Sequence, residues 1–450
     1  MSLRRTAFLV VDLGFGDAGK GLLTDYLVRR TGARWVVRFN GGAQAGHNVI
    51  TADGLHHTFS QFGAGSFVPG VGTHLARDVV VHPTALASEA QYLARAGVTD
   101  AMRRIHVDPE CRVTTPFHQA SNRLRELLRG TARHGSCGVG FGETVQDSLT
   151  NPELTIHFGE LLTPERIREK LFALRALKHS EFQQQLAGDA APDVQRELAA
   201  LTDPNLADRW LEAASGIARE VSLRAGGTPP ADSGDVIFEG AQGVLLDERF
   251  GFHPYTTYSR TTFEGAENEL HRWAFDGDVQ RIGMLRSYAV RHGPGPLPTE
   301  ATELTSRTQE PHNQAGLWQK HVRKGWLDLV LLDYALRVCG GVDCLALTHL
   351  DALPGLSDYR YCDAYEGADS LPLPGNLAEQ AELTTRLETA QPLYRTLNPR
   401  ASAHALCQLV SQRGNAAVRF ESYGPRAANV VRVGTPQRAA EGWDVTRRGA

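Results

Sequence analysis

The sequence of 450 residues contains no apolar run that approaches the length of a membrane span. Its first apolar stretch, residues 7–13, is too short for the apolar region of an export signal, and it contains Asp12. These absences argue against a membrane-spanning or exported chain. We therefore predict a cytoplasmic protein that has no membrane as a partner.

Sulfur is also scarce, since the chain has six cysteines and three methionines. No two cysteines form a C-x-x-C pair, and their spacing does not match a zinc site. We interpret them as reduced, buried thiols rather than as a disulfide framework. This use of cysteine is typical of proteins in a reducing compartment.

The chain lacks a strong excess of charge of either sign. Its formal net charge is -4, with 42% hydrophobic and 22% charged residues, as in ordinary globular proteins. A general nucleic-acid binder carries a clear positive excess, so this balance argues against nucleic acid as a partner. Any anion must be recognised locally, and we expect the partners to be small molecules.

Glycine, in contrast, is abundant, and several glycines follow the first apolar stretch. Residues 7–13 predict a strand that is buried on both faces of a parallel sheet. Glycines come next, then residues 22–30 with helical spacing of apolar side chains, then a second strand at 35–39. This order forms a βαβ unit. We predict an α/β fold with a large central, mostly parallel sheet flanked by helices, a first βαβ unit like that of a P-loop, and a helical insertion.

The insertion is predicted from a change in composition. Residues 164–225 are rich in Glu, Arg, Gln, Ala and Leu and contain few glycines until their end. The turn-rich stretch 226–234 then returns the chain to the sheet. We therefore divide the chain into a nucleotide-binding part of the core at 1–163, a helical subdomain at 164–232 and the rest of the core at 233–450.

The glycine-rich segment 14–20, GFGDAGK, matches two nucleotide-binding patterns at once. Its glycines fit the dinucleotide fingerprint, while Gly19 and Lys20 complete the phosphate-loop pattern. A dinucleotide site needs an acid near the end of the second strand, but residues 37–40 are Val, Arg, Phe and Asn. We therefore favour a mononucleotide whose phosphates are bound by backbone amides of this loop and by Lys20.

An ordinary phosphate loop places a Ser or Thr after the lysine to bind magnesium, but here that residue is Gly21. Asp17, inside the loop, is the obvious carboxylate to replace this hydroxyl. An alternative is that Asp17 only caps the following helix. An acid in a phosphate cradle repels the anion unless a cation lies between them. We therefore favour a role for Asp17 in magnesium binding or proton transfer.

The loop is one of several segments, in the same order along the chain, that resemble the adenylosuccinate synthetase family. This family joins L-aspartate to IMP with GTP hydrolysis, through a 6-phosphoryl-IMP intermediate. The other segments are NGGAQAGHN at 40–48, EGAQGVLLD at 239–247, HPYTTYSRTT at 253–262, GPLPTE at 295–300, KGWLD at 324–328, THLD at 348–351 and SYGP at 422–425. The resemblance implies a carbon–nitrogen ligase that uses Mg²⁺ and forms a homodimer.

The resemblance also assigns roles to individual residues. Asp17 would take the N1 proton of the purine and bind magnesium together with the carbonyl of Gly46. His47 would be the general acid facing the purine 6-oxygen. Apart from the resemblance, Asp25 lies just over one helical turn beyond the loop, and we expect it to hydrogen-bond His47 and keep it protonated. Lys20 and Gln242 complete the implied catalytic set. The implied contacts are Gly16, Ala18, Gly19, Lys20, Gly21, His349, Asp351, Ser422 and Gly424 for the triphosphate, Gln44, Cys137, Gly138, Gln242 and Thr257 for the purine nucleotide, and Lys320 and Arg323 for the amino acid.

Departures from the family pattern leave the substrates open. The segment THLD lacks the lysine that the family places before its guanine-reading acid, so ATP is an alternative to GTP. Residues 317–323 lack the family's arginine fork, which a lysine does not replace, so another amino acid is an alternative to aspartate. The remaining hypotheses are a related ligase that uses GMP or dGMP and a non-catalytic nucleotide-binding protein. The chain retains the residues that catalysis would need, which argues against a non-catalytic protein; they are Asp17, Lys20, His47 and Gln242.

Overall fold

We analysed the chain as a computed structural model, which describes residues 4–130, 133–183, 191–224, 234–308, 322–356, 358–397 and 403–434. The strands in chain order are β1 (Thr6–Asp12), β2 (Trp35–Arg38), β3 (His47–Ile50), β4 (His56–Phe59), β5 (Gly72–Leu75), β6 (Val80–Val81), β7 (Ile105–Val107), β8 (Arg112–Val113), β9 (Ser222–Leu223), β10 (Val236–Glu239), β11 (Asp278–Arg286), β12 (Ala289–Arg291), β13 (Arg323–Gly325), β14 (Leu327–Asp328), β15 (Cys344–Thr348), β16 (Arg360–Tyr365), β17 (Pro392–Thr396), β18 (Val418–Ser422) and β19 (Val430–Arg432). Ten of them form the central sheet, in the order β19-β18-β15-β11-β1-β10-β2-β5-β7-β9. All neighbours in it are parallel except β18 and β19.

Helices cover both faces of this sheet. They are α1 (Lys20–Thr31), α2 (Pro83–Arg95), α3 (Pro116–Leu128), α4 (Phe141–Thr150), α5 (Pro164–Gln183), α6 (Pro192–Thr202), α7 (Leu206–Glu220), α8 (Glu264–Arg272), α9 (Glu303–Arg307), α10 (Leu329–Val338), α11 (Leu377–Glu388) and α12 (Ala403–Gly414). Side chains of β1 alternate between two apolar clusters: Phe8 and Val10 lie with α1, whereas Leu9 and Val11 lie with α8 and α10. A strand buried on both faces explains the continuous apolar run, and the predicted α/β class is confirmed.

The first βαβ unit has the predicted order. The helix begins at Lys20, slightly earlier than expected, and ends at Thr31, where Gly32 adopts a left-handed conformation with φ 71° and closes the helix. Strand β1 pairs in parallel with both β10 and β11, so that Asp12 lies opposite Met284 and Val10 opposite Glu239. The loops that follow these three strands therefore meet at one edge of the sheet, where ligands bind in open α/β folds.

Two short antiparallel pairs bring further segments to this edge. The hairpin of β3 and β4 begins at His47, which lies opposite Phe59. The pair of β12 and β13 places Arg291 opposite Arg323, although these residues are distant in sequence. Short pairs of this kind fix the direction in which the adjoining loops leave the sheet.

The chain between α4 and β9 is helical, as the composition predicts, and contains α5, α6 and α7. Its apolar side chains, such as Leu171 and Trp210, belong to the same cluster as Val107 of β7 and Phe117 of α3. The segment also returns as β9, which pairs with β7 at the sheet edge. The predicted three-part division remains a prediction, because this segment shares a core with the sheet. Neither α5 nor another helix in the described ranges is long and apolar enough to span a membrane.

Two histidines on adjacent strands are buried in this core. His74 of β5 lies opposite His106 of β7. Burial lowers the pKa of His74 to about 3, and the positive charges of Arg224 and Arg272 act in the same direction. Burial, with the charge of Arg224, also lowers the pKa of His106 to about 4. Both rings are therefore neutral in the folded protein near pH 7.

We expect these histidines to make the fold sensitive to acid. An unfolded histidine titrates near pH 6.5, so below that pH the unfolded chain binds protons that the folded chain does not. The free energy of unfolding should be independent of these groups above about pH 6.5. Below it, the free energy should fall by about 1.4 kcal/mol per pH unit for each histidine until the pH reaches the folded pKa, about 4 for His106 and about 3 for His74. Urea unfolding at several pH values measures this slope. The slope should be smaller for His74→Leu and unchanged for the exposed His404→Leu.

Candidate active site

The phosphate-binding loop is folded around Asp12, the last residue of β1. Its carboxylate is 1% exposed and accepts hydrogen bonds from the backbone N–H of Gly14 and of Ala18, both at 2.8 Å. The Nζ atom of Lys20 donates to Asp12 Oδ2 at 3.3 Å and to the carbonyl of Gln242 at 2.6 Å. Lys20 is thus held between the loop and the segment after β10. Sequence reasoning missed Asp12, although an acid at the end of an otherwise apolar strand is a visible signal.

The backbone of this loop uses left-handed conformations. Gly16 and Gly19 have φ values of 107° and 87°, and Asp17 has φ 61°. Gln242, which faces the loop, has φ 63°. Glycine adopts this region freely, whereas Asp and Gln do so at a cost, and such residues cluster at functional sites. The strain therefore supports the location of the site but does not by itself define its chemistry.

The carboxylate of Asp17 lies against the segment that follows β11. His292 Nε2 donates to Asp17 Oδ2 at 2.8 Å, and Arg286 donates to the Asp17 carbonyl at 2.9 Å. Burial acts to raise the pKa of Asp17, but the His292 hydrogen bond and the charges of His292, Arg286 and Lys20 outweigh it and lower the pKa to about 2. Asp17 is therefore ionised near neutral pH. Neither Arg286 nor His292 was predicted from the sequence.

His47 is held by a buried glutamate. Its Nδ1 lies 2.7 Å from Oε1 of Glu239, which is 0% exposed and accepts the backbone N–H of Ala64 at 3.0 Å through its other oxygen. Burial and the charges of Arg38 and Lys20 lower the pKa of His47 to about 4, against the opposing charge and hydrogen bond of Glu239. The ring is therefore neutral near pH 7. Its buried Nε2 has no hydrogen-bond partner among the residues that the structure describes.

The expectation that Asp25 hydrogen-bonds His47 and keeps it protonated is wrong. Asp25 instead accepts a hydrogen bond from Arg29 Nε at 3.0 Å, one turn along α1. The helix direction pairs Asp25 with a residue four positions on, while His47 reaches across to β10. His47 still lies beside the loop, because a Cβ on Gly21 would come within 3.0 Å of His47 Cβ.

The segment 40–48 is fixed against the residues after β10. Asn40 and Ala241 exchange two hydrogen bonds, at 3.2 Å and 2.8 Å. Gln242 Nε2 donates to Thr257 Oγ1 at 2.8 Å, while the buried Oε1 of Gln242 has no partner within the described part of the chain. Both polar atoms of the Gln44 side-chain amide are likewise buried and lack a partner there. Buried polar atoms are nearly always hydrogen-bonded, so these atoms and His47 Nε2 indicate a polar ligand.

The turn with Cys137 and Gly138 lies between α3 and α4. Gly138 has φ 71°, its N–H donates to Ser136 Oγ at 3.2 Å, and its carbonyl accepts from Arg123 Nε at 2.9 Å. Burial raises the pKa of the Cys137 thiol, which is therefore neutral. A Cβ on the nearby Gly135 would lie 3.0 Å from Pro294, so this turn packs against the loop that carries His292.

The predicted base-recognition residues lie at the ends of two adjacent strands, β15 and β18. Thr348 Oγ1 donates to the Ala18 carbonyl at 3.0 Å, which ties this edge to the phosphate-binding loop. His349 has φ 59° and its pKa is lowered by burial, whereas Asp351 is exposed. Ser422 is buried, and its hydroxyl donates to the carbonyl of Gly424 at 2.9 Å. Their contacts with a base remain predictions.

The guanidinium of Arg323 is hydrogen-bonded to other groups of the protein. Its Nε and Nη2 donate to the Gly293 carbonyl at 3.2 Å and 3.0 Å, and Nη2 also donates to the Gly295 carbonyl at 2.6 Å. Its Nη1 pairs with Glu300 at 2.8 Å. The geometry therefore gives Arg323 a role in holding the 293–295 turn, and its predicted contact with an amino acid remains untested. Lys320 lies outside the described residues.

The residues present fit a magnesium ion at Asp17. Magnesium binds through one or two carboxylates together with substrate phosphates and waters, so it does not require a cage of protein ligands. Asp17 is ionised and its side chain is 30% exposed, while Gly46 is also exposed. Within the described ranges, no group of three or more His, Cys, Asp or Glu residues has the arrangement of a metal cage. The ligands Asp17 and Gly46 remain predictions.

Known proteins resemble this chain in both sequence and fold. Adenylosuccinate synthetase from Clostridium beijerinckii is 31% identical over 384 residues, which is 84% of this chain and 86% of that protein. The Neisseria gonorrhoeae protein of the same name is 29% identical over 391 residues, or 86% of each chain. Fully ligated adenylosuccinate synthetase from Plasmodium falciparum superposes with a TM-score of 0.76 at 21% identity, covering 96% of this chain and all 100% of that one.

A second solved structure is more distant. Succinoaminodeoxyadenylate synthetase from cyanophage S-2L, bound to dGMP and dATP, has a TM-score of 0.61 at 16% identity and covers 96% of this chain and 97% of that one. These two structures establish the fold. A model of the family described as adenylosuccinate synthetase matches residues 9–417. The chain therefore belongs to the adenylosuccinate synthetase family and is a carbon–nitrogen ligase.

Proposed function

We propose that this protein joins L-aspartate to IMP, with hydrolysis of GTP, to form N6-(1,2-dicarboxyethyl)-AMP. The observation that carries the proposal is the pair of side chains around Lys20. Asp17 is an ionised carboxylate, and His47 presents a buried ring nitrogen that has no partner in the described ranges. The charge of Lys20 acts on the pKa of both. Phosphorylation of a purine oxygen needs a base to remove the ring proton and a group that stabilises the charge on the oxygen. Asp17 and His47 match these two needs beside a phosphate-binding lysine.

In the first step, Asp17 takes the proton from N1 of IMP. The electron pair of the N1–H bond then places negative charge on the 6-oxygen, which attacks the γ-phosphorus of GTP. A new O–P bond forms, and the bond between the γ-phosphorus and the leaving GDP oxygen breaks. The amides of the loop and Lys20 bind the phosphates through this transfer. Asp17 and the Gly46 carbonyl would hold a magnesium ion, which would neutralise charge on the phosphates.

In the second step, the amino group of aspartate attacks C6 and phosphate leaves. The carbon–nitrogen bond forms as the C6–O bond breaks, the departing phosphate keeps the C6–O electron pair, and the amine releases its proton to water. His47 Nε2 faces the 6-oxygen in both steps. A nearby anion raises the pKa of an imidazole, so we expect the ring, which is neutral here, to take up a proton from water when the phosphates bind and to donate a hydrogen bond to that oxygen. Glu239 at Nδ1 stabilises that cation and fixes the ring.

The remaining residues orient the nucleotides. Gln242, Thr257 and the Gln44 amide face the purine nucleotide, and the unpartnered polar atoms of the two glutamines supply its hydrogen bonds. The turn at Cys137 and Gly138 binds its phosphate through backbone groups. The triphosphate base lies near the ends of β15 and β18, where His349, Asp351, Ser422 and Gly424 are found. Amino-acid binding by Lys320 and Arg323 completes the proposed site.

The proposal also includes the assembly and the location of the protein. We propose a homodimer in the cytoplasm, with small molecules as substrates and without nucleic-acid or membrane partners. This follows from the family resemblance and from the sequence composition. Size-exclusion chromatography with light scattering at several protein concentrations tests the assembly.

A phosphate-release assay tests the substrates. It crosses IMP, GMP and dGMP with GTP and ATP and with a panel of amino acids that includes aspartate. We expect the highest kcat/KM for IMP, GTP and aspartate, with release abolished when any one is omitted. Mass spectrometry identifies the product by the mass of the added amino acid. Turnover with another combination, and none with these three, would reject the proposed substrates.

A further inference from the structure

We propose that His292 is a positioning residue for Asp17. In this role His292 binds carboxylate oxygen Oδ2 and fixes the orientation of the carboxylate toward the purine N1–H. The inference rests on the proposed function of Asp17 as the base. Its basis is the hydrogen bond of 2.8 Å between His292 Nε2 and Asp17 Oδ2. The two side chains are 28% and 30% exposed, so the pair lies at the edge of the site rather than in the core.

One segment of the chain holds both the backbone and the side chain of Asp17. Arg286, at the end of β11, donates to the Asp17 carbonyl at 2.9 Å, and its guanidinium also donates to the Tyr288 hydroxyl at 2.8 Å. His292, six residues after Arg286, contacts the carboxylate. Asp17 has a left-handed backbone, which external contacts must maintain. The two contacts together fix its position and its orientation.

The residue before His292 is anchored inside the protein. Arg291 is 1% exposed and donates to the carbonyls of Pro294 at 3.1 Å and Pro296 at 2.7 Å. Its guanidinium also stacks on the ring of Phe15, 4.3 Å from the centroid. Phe15 precedes Asp17 by two residues, so the turn that carries His292 is packed directly onto the phosphate-binding loop.

Arg323 holds the same turn from the neighbouring strand β13, where it lies opposite Arg291. It donates to the carbonyls of Gly293 and Gly295, so the four residues that follow His292 all have their carbonyls bound by Arg291 or Arg323. A rigid support is what a positioning residue needs, because an oxygen displaced by about 1 Å loses much of its reactivity. The turn is therefore built to hold the His292 imidazole at a fixed place beside Asp17.

The pairing limits how the carboxylate can rotate. An unrestrained carboxylate turns toward whichever cation is nearest. The charges of Lys20 and Arg286 also act on Asp17, so both compete for its carboxylate. Binding of Oδ2 by His292 opposes that rotation and keeps the carboxylate in one orientation. Without His292, the carboxylate would remain ionised but would point away from the N1 proton for part of the time.

The test compares His292→Leu with His292→Gln. Leucine removes the hydrogen bond, whereas the side-chain amide of glutamine places an N–H near the position of Nε2. We expect His292→Leu to lower kcat by about 10- to 100-fold with little change in the KM for IMP, and His292→Gln to restore most of the loss. His404→Leu, an exposed histidine on α12, is the matched control and should leave kcat unchanged. Thermal unfolding of each variant checks the fold.

The Asp17→Asn variant separates failure of this inference from failure of the proposed function. If Asp17→Asn keeps wild-type turnover, Asp17 is not the base and both proposals fall. If Asp17→Asn is inactive while His292→Leu keeps the wild-type kcat, only the positioning role is overturned. Failure of glutamine to restore the rate also overturns it, because the hydrogen bond alone is then insufficient. In the Asp17→Asn background, adding His292→Leu should have no further effect.

Discussion

Replacing Asp17 with asparagine is expected to lower kcat by about 10²- to 10⁴-fold while the fold remains intact. Asparagine has almost the same shape as aspartate and tolerates the left-handed backbone that Asp17 adopts at φ 61°. It also leaves the backbone carbonyl that accepts from Arg286. What it lacks is a basic oxygen, so proton removal from the purine N1–H is lost. General base catalysis typically contributes a rate factor of this size.

The effect should appear in kcat rather than in substrate binding. Steady-state phosphate release gives kcat and KM, while calorimetry measures the affinity for IMP without turnover. We expect the Kd for IMP to change by less than about fivefold, because an interaction made only in the transition state lowers kcat without altering ground-state binding. A variant that binds IMP poorly and turns over at the wild-type rate at saturation would contradict the assignment of Asp17 as the base.

Much of the fold could be predicted because its signals are local. The apolar run of β1, the glycines after it and the spacing of α1 each lie within a few residues. A strand buried on both faces differs visibly from one that is exposed on one face. The helical composition of the insertion is local as well. The attachment of the insertion to the sheet is not a local signal, because β9 joins the sheet by pairing with β7, more than a hundred residues earlier.

The partners of the site residues could not be predicted in the same way. Asp25 is near His47 in sequence, but α1 directs it toward Arg29, and the actual partner Glu239 is 192 residues away. Arg286 reaches Asp17 only because β11 lies beside β1 with Asp12 opposite Met284. Such pairings depend on strand order, which sequence patterns do not encode locally. The candidate site residues were therefore easier to predict than the hydrogen bonds that set their orientation and their pKa values.

Replacing Lys20 with methionine is expected to have two separable effects, one on stability and one on catalysis. Lys20 and Asp12 form a buried ion pair, with side chains 3% and 1% exposed. Removal of the lysine leaves the Asp12 carboxylate buried without its counter-ion, although the amides of Gly14 and Ala18 remain. Breaking a buried pair in this way typically costs about 3–5 kcal/mol of the free energy of unfolding. Urea unfolding should detect a loss of this order.

The double variant Asp12→Asn with Lys20→Met distinguishes the two effects. Asparagine keeps an oxygen for a loop amide but has no charge, so we expect the double variant to recover most of the lost stability. It should not recover phosphoryl transfer, because no cation then remains at the transferring phosphate. Stability restored without activity would show that Lys20 acts on the phosphate and not only as a support for the loop. Recovery of turnover together with stability would instead make the Asp12–Lys20 pair a purely structural feature.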